Sequence, residues 1–411
     1  MRRAQKASYC FQGQKPSLEQ EMQGIKMRND VENSVREPIW ANIIFFAVTI
    51  LTAVIGVPLY LSRHTLSLSD WSLFAFYMAV TGLSITVGYH RLFSHRTFRA
   101  SPLVEFFVLF FGAAAFEQSA LRWSSQHRDH HRYVDTDKDP YSIKKGFFYA
   151  HIGWMMFWRH PCHFENARDL QRNKMLMHQH QHYHLWAFGA GIVLPLLIGA
   201  AIGNMWAALF FTVCLRITLV YHSTFCINSV CHMFGKATYD IYSSAKDHWF
   251  VALMTYGEGY HNFHHRFPGD YRNAVRWYQW DPSKWIIFML KKAGLARDLK
   301  KVSDFRILEA KLAAENQRAA DWILERCAQQ ARFAALQHGL NQHYLNLKHL
   351  LFTWEGALKN YHTLLRDQFN AASLEIRQGA HFQLIQAKNQ FDQARRQWQS
   401  FHVNQLGLIP S

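Results

Sequence analysis

Acidic residues are scarce in this chain. Its 29 Asp and Glu stand against 45 Lys and Arg, a formal net charge of +16 with the 25 histidines neutral. A basic balance fits nucleic acid, anionic lipid headgroups or an acidic ligand, and does not choose between them. Cysteine is scarce too. The six (Cys10, Cys162, Cys214, Cys226, Cys231 and Cys327) include no C-x-x-C pair. Two lie in or beside apolar runs, so buried or free thiols are expected rather than a disulfide framework. Residues 1–38 are polar and have no apolar core. A cleaved secretory signal is therefore not expected there, and most of the segment is expected to be poorly ordered. After Pro282 no proline occurs until Pro410.

Charge is also missing from three long runs. Ile39–Leu61 has none over 23 residues, Trp71–Gly88 none over 18, and Leu185–Leu215 none over 31. A bilayer span needs about 20 apolar residues, so the third run is too long for one untilted helix. Pro195 and the Gly203–Asn204 pair divide it into two helices joined by a tight turn. The spans are placed at about 39–61, 71–89, 185–202 and 204–222. A further apolar run at about 103–116 is only 14 residues long and carries Glu105. It suits an interfacial or re-entrant segment. With four spans, both termini and every histidine cluster lie on one side. That side carries most of the Lys and Arg, which marks it as cytoplasmic. At 15% aromatic residues, the composition suits a protein anchored at membrane interfaces.

Histidine is what the chain has in abundance. His127, His130 and His131 stand at i, i+3 and i+4, and so do His261, His264 and His265. On a helix those offsets share a face, so each triplet can present imidazoles to one place. His90 and His95 are five apart, about 140° around a straight α-helix. They serve two different ions, or one of them sits past a helix end. With His232 the candidate ligands number nine. One ion needs three to five, so nine point to two ions. Imidazole suits zinc, copper, iron and nickel. Structural zinc more often recruits cysteine and closes with four ligands. Two metals held by nitrogen at a membrane face point instead to iron and oxygen chemistry. The run "HQHQHYH" at 178–184 alternates at i+2, which scatters its rings around a helix, and is read as interfacial or incidental.

The segments "GYHRLFSHR", "HRDHHRYVDTDKDPY", "INSVCHMFG" and "GEGYHNFHHRFPGDYR" resemble the four signatures of membrane-bound acyl-CoA desaturases of the stearoyl-CoA, delta-9 type. The resemblance runs from about residue 40 to 300. It implies an all-α integral membrane protein whose four transmembrane helices carry a cytosolic helical cap with a histidine-ligated, non-haem di-iron site. By that resemblance His90, His95, His127, His130, His131, His232, His261, His264 and His265 bind the two irons, and Asn228 contacts one of them through water. It implies that O2 is consumed while a cis double bond, most often delta-9, enters a saturated acyl chain carried as acyl-CoA. It also implies an apolar tunnel bent at Trp123 and Thr224, with chain length read near Met78 and Gly82 in the second span. Packing alone would equally explain a small residue there. Asp135, Asp139, Asp247 and Glu258 are candidates to orient the histidines. Arg128, Arg132, Lys144 and Lys145 could meet CoA phosphates or lipid headgroups.

The resemblance ends near residue 300, leaving 301–411 as a cytosolic helical extension. Apolar residues recur there in steps of three and four from Phe333 to Ile376, the signature of an amphipathic helix. One long helix, a hairpin packed on the cap and self-association all fit that pattern. The extension lacks a His-Pro-Gly-Gly haem signature and clustered cysteines. Electrons are therefore expected from a separate carrier of cytochrome b5, ferredoxin or rubredoxin type. The expected partners are thus acyl-CoA, the bilayer and that carrier, with no nucleic acid. The expected setting is a bacterial inner membrane or the endoplasmic reticulum. A membrane di-iron hydroxylase of alkanes or acyl chains is the alternative. A metal transporter would need ionisable groups inside the spans, which carry no charged residue before Arg216.

Overall fold

The computed structural model describes residues 35–159, 163–327, 331–366 and 374–407. The expected disorder of residues 1–34, and Cys10, His160, Cys162, Phe369 and Ala372, lie outside the described residues.

Four helices are long and apolar enough to cross a membrane: α1 (Trp40–Leu61), α2 (Leu68–Ser94), α6 (Tyr183–Ala201) and α7 (Met205–His232). Between them come α3 (Pro102–Ala113), α4 (Ala120–Tyr133) and α5 (Lys174–Gln181). After them come α8 (His261–Arg266), α9 (Pro282–Lys292), α10 (Asp304–Cys327), α11 (Phe333–Arg366) and α12 (Leu374–Phe401). Two small antiparallel ribbons tie the connections. β1 (Val35–Arg36) pairs with β3 (Trp158–Arg159), and β2 (Arg99–Ala100) with β4 (Ala296–Arg297).

The four long helices keep apolar side chains on their exposed faces. On α1, Trp40, Ile44, Val48, Leu51 and Ile55 form an exposed apolar stripe at helical spacing. Such a face is stable against hydrocarbon and costly against water. At the membrane face opposite the histidines, the two tight connections are knotted together. Ser67 and Asp70 form a capping box at the start of α2. Asn204 donates to Asp70 Oδ2 at 3.2 Å and accepts from Tyr60 Oη at 2.9 Å. Gly203 turns the chain at φ +86°, where the sequence placed the turn.

Helix α3 has 12 residues, about 18 Å of rise against a hydrocarbon core of about 30 Å. By length it is too short to cross. Leu103, Phe106 and Phe107 point outward, while Val104, Val108 and Leu109 pack inside. Helices α2, α4, α7 and α8 deliver their histidines to one place.

Helices α10, α11 and α12 have an apolar core of their own, built from Leu312, Ile323, Leu340, Leu347, Phe391 and Trp398 among others. Helices α11 and α12 run antiparallel, because Tyr344 meets Trp398, Trp354 meets Phe391 and Tyr361 meets His381. Arg318 of α10 donates to Ala237 O at 2.7 Å, joining this bundle to the cap.

Candidate metal centre

Helix geometry decides which imidazoles meet. The last turns of α2, Ser84–Ser94, are π-helical, and i→i+5 hydrogen bonding brings residues five apart onto one face. The His95 N–H donates to His90 O at 3.1 Å, closing that pattern just past the helix end. The two histidines therefore belong to one group. The triplets split instead. From α4, His127 and His131 join His90 and His95, while His130 turns the other way. From α8, His264 joins the first group, and His261 and His265 join His130 and His232. The result is two adjacent groups, of five and four imidazoles, with the ligand nitrogens in each within 4.8 Å of one another.

The nitrogens face inward. In the first group, His90 Nε2 and His131 Nε2 each lie 2.9 Å from His264 Nε2, and His95 Nε2 lies 2.9 Å from His127 Nε2. In the second, Nε2 of His261 lies 3.0 Å from those of His232 and His265, and His130 Nε2 lies 3.3 Å from His265 Nε2. One proton can be shared by two rings, but not by four or five. Burial, aided by neighbouring imidazoles, holds His95, His127, His131, His261, His264 and His265 well below the usual histidine range. Neutral rings with converging lone pairs fit metal cations, one per group.

Carboxylates orient the rings from behind. His130 Nδ1 is 2.9 Å from Asp139 Oδ1, and His90 Nδ1 is 2.8 Å from Glu258 Oε2. Burial favours protonation of Glu258, but His90 and Arg91 outweigh it and keep its carboxyl below the usual range. Arg91 is buried and binds both Glu258 and Asp281, at 3.0 and 2.9 Å. The other two expected carboxylates act at one remove. Asp247 Oδ1 accepts from the Asn262 and Phe263 N–H groups at 2.9 and 3.1 Å, which fixes the first turn of α8. Its carboxyl is pushed up to about 6 by burial, against those bonds. Asp135 Oδ2 accepts from Ser244 N at 2.8 Å, and Ser244 Oγ meets His232 Nδ1 at 2.6 Å.

A cavity runs beside both groups. Its walls include His90 and His127 of the first and His261 of the second, together with Asn228. Ile85, Val220, Phe225 and Ile227 supply apolar surface, and Gly82, Trp123 and Thr224 line it as well. A Cβ on Gly82 would lie 2.2 Å from the Tyr256 ring, another wall residue. Met78 is not among the wall residues. It packs against the core around α2, and its carbonyl accepts from Tyr256 Oη at 2.9 Å.

Glu117, which sequence reasoning passed over, joins the two expected bend residues. Its Oε2 accepts from Trp123 Nε1 at 3.1 Å and its Oε1 from Thr224 Oγ1 at 2.8 Å. Burial pushes the carboxyl up to about 7, against the lowering effect of both bonds. The only signal for it in the sequence is a lone acid ending an apolar run.

Other expectations change. Arg128 is committed internally, with donors to Ser94 O and Phe93 O and both carboxylate oxygens of Asp169 taken at 2.7–3.0 Å. A side chain so bound does not reach for phosphate. Among the 178–184 histidines, His178 pairs with Trp186 and His180 with Ser119, and none joins either group.

Residues 69–288, more than half the chain, match the family model described as fatty acid desaturase. The chain is 44% identical over 234 residues to a probable acyl-CoA desaturase of Schizosaccharomyces pombe, covering 56% of this chain and 49% of that protein. It is 42% identical over 265 residues to acyl-CoA desaturase 1 of Saccharomyces cerevisiae, covering 64% and 51%. It is 35% identical over 284 residues to stearoyl-CoA desaturase 4 of Mus musculus, covering 66% and 78%. The chain thus spans about half the length of the two yeast relatives.

Proposed function

The chain belongs to the fatty acid desaturase family, and from that premise we propose that it introduces a cis double bond, at the delta-9 position, into a saturated fatty acyl chain carried as acyl-CoA. The observation that carries this reading is the cavity. A single apolar-walled space passes beside histidines of both groups, where two adjacent methylenes of one chain could meet both ions.

The nine histidines would hold two iron ions, with Asn228 reaching one through water. When bound, the irons supply oxygen activation and electron storage. In the overall reaction two hydrogens leave adjacent carbons. They combine with O2, two electrons and two protons to give two waters.

The protein's own task is positional. Methylenes offer no polar handle, so the walls must set which carbons lie beside the histidines. Trp123 and Thr224 are fixed from one side by Glu117, which keeps the bend rigid. Asp139 and Glu258 hold His130 and His90 in the tautomer that leaves Nε2 free to ligate. The low-polarity walls exclude water from the reacting carbons. Electrons come from a carrier of cytochrome b5, ferredoxin or rubredoxin type. The histidine side of the membrane is cytoplasmic, of the endoplasmic reticulum or a bacterial inner membrane.

Expression in a host lacking its own delta-9 desaturase tests this, with His130→Ala run beside it at matched membrane levels. A cis monounsaturated product that vanishes in the variant is expected, and its bond position tests the regiochemistry. A hydroxylated product would replace this reading with an acyl hydroxylase.

A further inference from the structure

Arg216 sits inside α7, fully buried, in a helix long and apolar enough to cross a membrane. A charge at that depth is costly and tends to mark function. Three of its nitrogens go to backbone carbonyls. Nε donates to Thr212 O at 2.9 Å, Nη2 to Gly191 O at 2.7 Å, and Nη1 to Ala114 O. Ala114 directly follows α3, so its carbonyl is one of those a helix end leaves unpaired, where a cation is favoured.

The segment so held is unusual. Phe116 and Gln118 have φ of +61° and +75°, in the left-handed region that residues with a Cβ avoid. Such a backbone persists only where its surroundings hold it. Tyr221 Oη donates to Phe116 O, and the Gln118 N–H donates to Tyr183 Oη at 3.1 Å. Gly191 leaves room for it, since a Cβ there would lie 2.6 Å from the Phe116 ring and 3.1 Å from Ala114 Cα. Between the two positive-φ residues stands Glu117, the residue that holds Trp123 and Thr224.

We infer that Arg216 and Tyr221 are positioning residues for regiochemistry: by pinning 114–118 they fix Glu117, and through it the wall that decides which carbons lie beside the histidines. This rests on the desaturase reading. Arg216 is 12 residues from Asn228 along one helix, about 18 Å at 1.5 Å per residue. Metal binding should therefore be untouched by its loss. A misplacement of about 1 Å at a reacting centre can cost about a hundredfold in rate, and a wall that yields by part of that should blur which bond is oxidised.

The test compares wild type, Arg216→Met, Tyr221→Phe and Gly191→Ala as full chains in the desaturase-deficient host, reading double-bond positions and purified metal content. The expected result is a loss of positional selectivity of about tenfold in Arg216→Met and Gly191→Ala. A smaller loss is expected in Tyr221→Phe, with wild-type metal content in all three. Should Arg216→Met fail to accumulate, Tyr221→Phe still decides, because it removes only one hydroxyl. An unchanged isomer ratio at normal metal content would overturn the inference. So would product and metal falling together, which marks a purely structural role. A wild type that makes no unsaturated product would remove the parent reading, and the inference with it.

Discussion

Replacing Glu117 by Gln should remove a pH dependence of stability that the wild type carries. Burial pushes this carboxyl from an ordinary 4.5 to about 7, outweighing the bonds from Thr224 and Trp123. The folded state thus binds the proton more tightly than the unfolded chain, and stability falls as pH rises through that window. At 1.36 kcal/mol per pH unit, the loss above pH 7 is about 3 kcal/mol relative to pH 4.5. Glutamine has the shape of the protonated acid and no proton to lose. It can accept from Trp123 Nε1 and donate to Thr224 Oγ1. The two proteins should unfold at nearly the same temperature at pH 5. At pH 8 the variant should lead by about 3–6 °C, taking about 1–2 °C per kcal/mol for a chain of this size. Thermal unfolding in one detergent at both pH values reads this directly. Parallel curves, with equal pH dependence in both proteins, would refute the buried, proton-holding carboxyl and the bend built on it.

Two further perturbations probe other parts of the site. Asp139→Asn replaces the carboxylate 2.9 Å from His130 Nδ1. It should weaken metal retention in the second group about 10–100-fold, read as metal remaining after dialysis against graded chelator. Retention equal to wild type would exclude Asp139 as the group that orients His130. Gly82→Leu puts bulk where even a Cβ meets the Tyr256 ring at 2.2 Å. It should shift product toward shorter chains, with about 0.8 kcal/mol, or about fourfold in affinity, forfeited per methylene that no longer fits. An unchanged chain-length profile would show that this end of the cavity does not receive the chain.

The parts of this molecule legible in its sequence are the local ones. The i, i+3, i+4 histidine triplets and the charge-free runs are short-range patterns, and a helix converts them to faces and spans. The apolar run at 103–116 becomes a short helix, Pro102–Ala113. What stayed hidden depends on contacts between distant residues. The sequence could state the dilemma of His90 and His95 but not resolve it, because the π-helical end of α2 is no property of spacing. Each triplet divides between the groups because its helix runs between them, which nothing in "HRDHH" records. Glu117 acquires its role by joining Trp123 to Thr224, the latter 107 positions away. In α11 the apolar period continues to Leu365, yet burial ends near Leu351. Periodicity reports a face and not how far a partner covers it.

The most direct test is a count of bound metal. Purified wild-type protein should carry about two iron ions per chain, and His264→Ala and His265→Ala should each carry about one, because each substitution opens a different group. Less than one metal in the wild type, zinc in place of iron, or a count unmoved by either substitution would contradict a pair of histidine-held irons.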